Sequence, residues 1–383
     1  MNVKAPTAWL GGLSPAQFMR RHWQREPLLV RGAWPDARPP ASRAELFALA
    51  ARDDVESRLV RCDAQGRWHL RRGPLPRRAL PALSSPRWTL LVQGVDLHAD
   101  AAHALLQPFR FVPDARLDDL MLSYASDGGG VGPHIDAYDV FLLQVAGRRR
   151  WRWGRVAKPA WRDDVPLKML AHFEPAHDAV LAPGDLLYLP PGWGHDGVAV
   201  GNDCVTASVG FRSPSAGELA RTLLARIAED GVPVGERRYR DTPRTATARP
   251  GLMPTGLQAF AREAVGALLA APDAVERALG EWITEPKAEV WFERAPRPRR
   301  LAAGVRLDRR TRIACDARQV YVNGESWRAS GADARLLQAL ADARRLDALA
   351  LRGASRAVRS LMTDWIEAGW LHLDDQRSED ASA

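Results

Sequence analysis

The sequence predicts an α+β protein in which a block of short antiparallel strands lies between two sets of helices. Apolar residues recur with helical spacing near the start of the chain and again from Ser215 onward. Between these parts, over 87–211, short apolar or alternating runs are separated by Gly, Pro and Asp, which is typical of an antiparallel sandwich or barrel. A chain of 383 residues also exceeds one ordinary compact domain, so two or three domains are expected.

The composition narrows the class of protein. Hydrophobic residues make up 46% of the chain, and 14 of its residues are tryptophan. This composition argues against a disordered protein. The net charge of +8 favours an acidic or nucleic-acid partner, although arginine is abundant along the whole chain and composition alone could explain the charge. The three cysteines are far apart and odd in number, which predicts a reducing compartment. The sequence has no leader-like or membrane-spanning apolar run, so we expect a cytoplasmic protein without a membrane partner.

Two helices are expected before the strands. Residues 14–23 begin with Ser14, a favourable N-cap. Residues 42–52 begin with Ser42, and Glu45 follows three positions later, which is the pattern of a capping box.

Seven segments of the middle region have the length and composition of strands. The predicted strands are 87–97, 118–126, 139–147, 148–154, 184–191, 196–201 and 204–211. The third and fourth follow each other directly, so we expect a hairpin that turns at Ala146-Gly147 and returns from Arg148.

Helical spacing returns after the strands. Ser215 and Glu218 form a second capping-box pattern, and helices are also predicted over 255–271 and 273–283, with an exposed loop at 231–250. Three amphipathic helices are too few to hide their apolar faces against a barrel alone. We therefore predict a homodimer formed through this module, with an intrachain helical cap as the alternative.

The end of the chain predicts a small separate domain. A linker rich in Pro and Arg at 295–300 precedes two strands near Ile313 and Val320. Two helices and a closing strand follow at 331–345, 355–370 and 371–375, an order typical of a winged helix. The second of these helices carries acidic residues beside its arginines, so we expect no direct nucleic-acid binding.

The central strands contain a candidate metal site. His134 and Asp136 lie two residues apart, so they point to the same face of a strand. His195, which follows a later strand and a Pro-Pro-Gly turn, is the best third ligand. Two histidines and one carboxylate on one side of a metal form the facial triad of non-haem Fe(II) oxygenases. The alternatives are a chance pair that binds no metal, and ligation by His172 or His177.

Three consecutive arginines suggest a co-substrate. An Fe(II) oxygenase without its own redox group needs a reductant such as 2-oxoglutarate, whose distal carboxylate pairs well with a guanidinium. Arg148 and Arg150 share one face of the predicted strand, and Arg149 lies on the other. Periodicity alone does not choose the inward face.

Three long motifs resemble one protein family. The stretches DDLMLSYASDGGGVGPHIDAYDVFLLQVAGRRRWRWG, PGDLLYLPPGWGHDG and SVGFRSPS are similar to the bacterial ribosomal oxygenases of the JmjC/cupin type, which include arginine 3-hydroxylases of ribosomal protein L16. The resemblance implies a double-stranded β-helix (cupin/JmjC) barrel with N-terminal helices over 1–212, a helical dimerisation domain over 213–297 and a winged-helix domain over 298–383.

The resemblance also assigns residues and an activity. It implies that His134, Asp136 and His195 bind Fe(II), and that Arg149 and Ser123 bind 2-oxoglutarate as co-substrate. The implied reaction is hydroxylation of an arginine of ribosomal protein L16 by a 2-oxoglutarate-dependent dioxygenase, and the substrate residue, arginine or histidine, stays open. Two other functions remain: a nucleic-acid-binding regulator whose barrel senses a ligand, and a JmjC-type demethylase. Asp139 either holds a substrate guanidinium or bonds to the adjacent loop.

Overall fold

The computed structural model describes residues 2–229, 237–240, 246, 249–301 and 303–374. The chain forms two compact units, Met1–Ser213 and Pro214–Ala383. Both contain helices and antiparallel strands, which agrees with the predicted α+β class. The division into three domains at 213 and 298 stays a prediction.

The first unit is built on one antiparallel sheet of ten strands, in the order β1-β9-β7-β10-β5-β4-β2-β3 with β6 beside β10 and β8 beside β7. The strands are β1 Leu28–Val30, β2 Ser57–Cys62, β3 Trp68–Arg72, β4 Trp88–Val92, β5 Leu117–Ala125, β6 His134–Ile135, β7 Val140–Arg155, β8 His177–Leu181, β9 Leu186–Leu189 and β10 Trp193–Phe211. The helices are α1 Pro15–Arg21, α2 Arg43–Ala50 and α3 Asp100–Leu106.

The predicted N-terminal helices form where their caps indicate. The Ser14 side chain accepts from the backbone N–H of Gln17, and Gln17 closes a capping box. Ser42 and Glu45 form the same reciprocal pair at the start of α2. Each box satisfies N–H groups that a helix start leaves without intrahelical partners.

The predicted hairpin at Ala146-Gly147 is wrong. Residues 140–155 form one continuous strand, β7, and both of its halves pair with β10. Gly147 adopts a φ of 61°, and the pairing register with β10 shifts here. Gly147 therefore bends the strand and changes which alternate residues face inward, without reversing the chain.

The predicted strands 196–201 and 204–211 are likewise one strand, β10, and the structure adds four strands that the sequence pattern did not predict, namely β1, β2, β3 and β8. Strand β1 pairs with β9, while β2 and β3 extend the opposite end of the sheet through β4. One face of the sheet packs on α1 and α2 through a core of large side chains, which include Phe18, Trp88, Phe141, Tyr188 and Phe211.

The second unit contains six helices and six strands among its described residues. The helices are α4 Ala216–Glu229, α5 Thr255–Leu269, α6 Ala274–Thr284, α7 Gly331–Ala343, α8 Ala348–Leu351 and α9 Arg356–Glu367. The strands are β11 Gly304–Leu307, β12 Ile313–Cys315, β13 Gln319–Val322, β14 Glu325–Arg328, β15 Arg345–Leu346 and β16 Leu371–Asp374, arranged as two three-stranded sheets. Most of the predicted loop at 231–250 lies outside the described residues.

The helices α7 and α9 pack with the small strands around a separate apolar core. Leu337, Leu340, Met362 and Trp365 are all buried in it. Within the described part of the chain, no helix is long and apolar enough to cross a membrane.

The Gly-rich loop between β5 and β6 leaves no room for a side chain at Gly129. A Cβ there would lie 2.3 Å from the carbonyl oxygen of Trp88, a backbone atom that cannot rotate away. Gly129→Ala should therefore lower the free energy of unfolding by about 1–3 kcal/mol in a urea titration followed by tryptophan fluorescence. Gly210→Ala is the matched control, because its nearest neighbours would lie 3.9 Å away. Equal losses in both variants would contradict the steric explanation.

Candidate functional site

Two short pairings bring His134, Asp136 and His195 together. His134 on β6 lies directly opposite His195 on β10, and Asp136 follows β6. The Asp136 Oδ2 atom lies 3.5 Å from His195 Nε2 and 4.0 Å from His134 Nε2. One possible ligand atom from each of the three residues lies within 4.8 Å of the others, a spacing that one metal ion can bridge.

Backbone carbonyls orient both imidazoles. His134 Nδ1 lies 2.9 Å from the Gly132 oxygen, and His195 Nδ1 lies 3.1 Å from the Trp193 oxygen. Because a carbonyl oxygen only accepts, Nδ1 of each ring is the donor, and Nε2 is the ring nitrogen that faces Asp136. This is the arrangement that metal-ligating histidines use.

His195 is only 2% exposed. Burial, and secondarily the neighbouring His134, lowers the pKa of His195 to about 4. The ring is therefore neutral at pH 7, and a neutral imidazole is the form that ligates metals. The two histidines and one carboxylate fit Fe(II), and other divalent ions of the first transition series bind the same donors.

Of the three consecutive arginines, Arg149 points inward. Its side chain is 4% exposed, whereas Arg148 and Arg150 are exposed, and Arg150 pairs with Asp178 of β8. The Arg149 Nη1 atom donates to the Gly197 oxygen at 3.2 Å, and Nη2 lies 3.5 Å from Ser123 Oγ. Its Nε is buried without a hydrogen-bond partner, and among the described residues no carboxylate lies within 4 Å.

A buried guanidinium without an anion is costly, because desolvation penalises its charge. The space beside Arg149 and Ser123 therefore suits a carboxylate supplied by a ligand. Ser123 is buried on β5, opposite Thr206 of β10, and its hydroxyl lies 3.5 Å from the Thr206 oxygen. The hydroxyl can rotate to donate to such a carboxylate.

These groups open into one cavity of about 390 Å³. The triad, Arg149 and Ser123 all line it, and Trp151 supplies an apolar wall beside Arg149. This volume lies within the range of small-molecule sites. One cavity therefore brings a metal site and an anion site together.

Several lining residues were not predicted from the sequence. Asp118 and Asp119 are the first two residues of the predicted strand 118–126. Their position at a strand end could have indicated that they belong to the site. Tyr138 is 41% exposed and lines the cavity near them. Arg58 reaches the cavity from β2, for which the sequence pattern predicted no strand.

The alternative histidines lie apart from the triad. Neither His172 nor His177 belongs to the candidate ligand cluster, and His177 is exposed on β8, where it stacks on Trp153. Asp139 is fully buried and accepts hydrogen bonds from Tyr188 at 2.5 Å and Gln24 at 3.2 Å. Its carboxylate thus joins the start of β7 to β9 and to the segment after α1, and not to the adjacent loop that the structural alternative expected.

Two protein-family models match the chain. A JmjC domain matches residues 104–219, and a ROXA-like winged helix matches residues 267–372. These matches confirm the predicted cupin/JmjC barrel and C-terminal winged helix.

The most similar relatives include bacterial enzymes. The chain is 37% identical over 275 residues to the ribosomal protein uL16 3-hydroxylase of Escherichia coli, an alignment that covers 71% of this chain and 72% of the relative. It is 35% identical over 210 residues to a probable ribosomal oxygenase of Haemophilus influenzae, over 54% of this chain and 52% of the relative.

A solved structure matches nearly the whole chain. The structure of YcfD, a ribosomal oxygenase from Escherichia coli in complex with cobalt and 2-oxoglutarate, aligns with a TM-score of 0.80 and 30% identity. The alignment covers 95% of this chain and 99% of YcfD.

Proposed function

Because this chain belongs to the JmjC-domain ribosomal oxygenases, we propose that it is an Fe(II)- and 2-oxoglutarate-dependent dioxygenase that hydroxylates an arginine of ribosomal protein L16. The observation that carries the proposal is the pairing, in one cavity, of a His-Asp-His cluster with a buried arginine that has no anionic partner. The cobalt and 2-oxoglutarate bound by YcfD support the same assignment.

His134, Asp136 and His195 would hold the metal. Bound Fe(II) supplies the activation of O2 that hydroxylation of an unactivated C–H bond requires. The residues themselves orient and protect this centre. The carbonyls of Gly132 and Trp193 fix the imidazole rings of the two histidines, and Trp151 forms an apolar part of the cavity wall.

Arg149 and Ser123 would hold the distal carboxylate of 2-oxoglutarate. Arg149 offers a charged fork that stays protonated, and Ser123 offers a hydroxyl donor. The Gly197 oxygen already holds one Nη group in place, so binding costs little side-chain entropy.

Two neighbouring carboxylates in the cavity lining favour an arginine as the target residue. Asp118 and Asp119 line the cavity that contains the triad. A guanidinium that enters between these carboxylates and the aromatic ring of Tyr138 would find both charge and stacking partners. A neutral histidine would gain less from the same carboxylates.

Mass spectrometry of ribosomal proteins tests this function. L16 from cells that lack the gene should be about 16 Da lighter than L16 from the parent strain. Fragmentation of the parent L16 should place the additional oxygen on one arginine. Purified enzyme with Fe(II) and 2-oxoglutarate should restore it. If L16 has the same mass in both strains, L16 is not the substrate.

We also propose that the protein is a homodimer joined through α4, α5 and α6. These helices share only a small buried core, formed by Ile227, Ala274 and Ala278. Apolar side chains remain exposed on all three, namely Leu224, Leu257, Val265, Leu269, Val275 and Leu279. An exposed apolar surface of this kind is typical of a protein-protein interface, and a second copy carries the same surface.

Sedimentation velocity at micromolar concentration should give a dimer. Val265→Glu combined with Leu269→Glu should shift the protein toward monomer, because each change places a charge in the proposed interface. Leu349→Glu is the control, since Leu349 is exposed on α8, outside these helices. A wild-type monomer, or dissociation by the control alone, would overturn the dimer.

We also propose three domains, no direct nucleic-acid binding and a reaction in the cytoplasm. The helices α4–α6 would form a middle domain over 213–297, between a catalytic domain at 1–212 and the winged helix at 298–383. The winged helix would act without binding nucleic acid directly, because α9 carries both Arg356 and Asp364 on a mixed surface. The reaction would take place in the cytoplasm, where newly made ribosomal proteins are available.

A further inference from the structure

The cavity extends beyond the triad to the edge strands of the sheet. Val60 of β2 pairs with Leu70 of β3 and with Thr89 of β4, and all three side chains line the cavity. Arg58 lies two residues before Val60, so it points to the same face, and it also lines the cavity. At this end of the cavity, Arg58 is the basic residue among the side chains of β2 and β3 that line it.

Arg58 has an unfilled donor. Its Nε is buried without a hydrogen-bond partner, and Glu56 Oε1 is 3.9 Å away, beyond hydrogen-bond distance. The Glu56 side chain is largely exposed and does not cover the guanidinium. A buried guanidine N–H that lacks a partner in the free protein is suited to an acceptor that a ligand brings.

Arg72 lies directly opposite Arg58. The two are cross-strand neighbours of β2 and β3, so their side chains emerge on the same face. Among the residues that the structure describes, Arg72 forms no hydrogen bond or ion pair. Two like charges directly opposite each other destabilise a sheet, and an anion bound between them would remove that cost.

We propose that Arg58 and Arg72 form a second binding site for the protein substrate, which receives the carboxylate of an acidic residue close in sequence to the hydroxylated one. This inference rests on the proposed function. Arg58 lines the same cavity as the triad, and it lies two strand spacings, about 10 Å, from Ser123 across β4. A carboxylate that reaches Arg58 from the same peptide therefore belongs to a residue close in sequence to the target.

A protein carboxylate fits this site better than a nucleic-acid phosphate. Arg58 lines the cavity that the target residue enters, so the peptide that carries this residue is already beside the arginine pair.

Steady-state kinetics with recombinant L16 tests the site. Arg58→Gln and Arg72→Gln should each raise KM for L16 by about 10- to 100-fold, the range expected for a hydrogen bond to a charged group, with a smaller change in kcat. Arg71→Gln is the matched control, because Arg71 neighbours Arg72 but points to the opposite face beside Leu59. Replacement of the acidic residue of L16 that binds this pair by lysine should raise KM by a similar factor. The enzyme variant Arg58→Glu should then lower KM for that L16 variant part of the way back.

Thermal unfolding gives a readout that does not depend on the substrate. If the pair serves a ligand, Arg58→Gln or Arg72→Gln removes repulsion and should raise Tm by about 1–3 °C in the substrate-free protein. If the arginines only support the fold, Tm should fall in both variants, and this result would overturn the proposal even if L16 is not the substrate.

The kinetic outcomes separate the remaining explanations. An unchanged KM in both variants, or an equal rise in Arg71→Gln, would overturn the second site while wild-type hydroxylation of L16 upholds the proposed function. If KM rises only when L16 is bound to ribosomal particles, the anion at the arginine pair belongs to RNA. This result would overturn the proposal that a carboxylate of L16 binds there. If the wild type leaves L16 unmodified, the proposed function fails, and the Tm values alone decide whether the arginine pair serves a ligand.

Discussion

Replacement of His134, Asp136 or His195 by alanine should abolish hydroxylation and consumption of 2-oxoglutarate. Each substitution removes one of three protein ligands, and the cluster offers no spare donor of the same kind among the described residues. Loss even of a group that only orients a ligand commonly costs 10- to 100-fold, so loss of a ligand should exceed about 100-fold.

The fold should survive these substitutions. His134 and Asp136 are partly exposed at the cavity, and none of the three contributes to the large apolar cores. Circular dichroism should match the wild type, while metal content measured after dialysis against Fe(II) or Co(II) should fall in all three variants. His172→Ala and His177→Ala are the controls and should keep both metal and activity. If His195→Ala retains activity while either control loses it, the third ligand is misassigned.

The sequence predicts the triad better than its surroundings, and the reason is geometric. His134 and Asp136 share a face through local alternation, which no tertiary contact is needed to establish. His195 joins them through a pairing of β6 with β10 that links distant segments. Its place after a strand and a Pro-Pro-Gly turn made it the best third ligand, and the resemblance to a known family implied the same residue. The arginine pair at Arg58 and Arg72 was not predicted, because arginines occur at both alternate positions of these segments and show no periodicity.

The run of three arginines shows that the alternation of side chains along a strand does not predict which face points inward. Alternation separates Arg149 from Arg148 and Arg150 but does not choose the inward face. On β7, Val140 and Leu142 line the cavity before the bend, and Arg149 and Trp151 line it after the bend. The inward positions change from even to odd numbers across Gly147, so extrapolation from the first half of the strand would have chosen the wrong arginines.

Replacement of Arg149 by leucine should lower the affinity for 2-oxoglutarate by roughly 30-fold to several-thousand-fold. Removal of one partner of a buried charge pair typically costs about 2–5 kcal/mol, and about 1.4 kcal/mol corresponds to a factor of ten. The loss arises because the distal carboxylate would enter a closed part of the cavity without a cation. Metal binding should persist, since Arg149 contacts none of the three candidate ligands.

Arg149→Lys should recover only part of the affinity, because an ammonium group cannot offer the paired N–H groups of a guanidinium. Arg148→Leu and Arg150→Leu are the matched controls and should change the affinity little, since both side chains are exposed and Arg150 already pairs with Asp178. Arg149→Leu should not lower Tm in the ligand-free protein, because it removes a buried charge that has no anionic partner.

The decisive measurement is an anaerobic titration of 2-oxoglutarate into the Fe(II)-loaded variants, followed through the charge-transfer absorption of the complex. The same titration with Mn(II), followed by tryptophan fluorescence, separates 2-oxoglutarate affinity from changes at iron. A large loss in Arg148→Leu or Arg150→Leu with none in Arg149→Leu would assign the carboxylate to the opposite face of β7. Equal losses in all three would mean that net charge near the cavity, and not the buried fork of Arg149, governs binding.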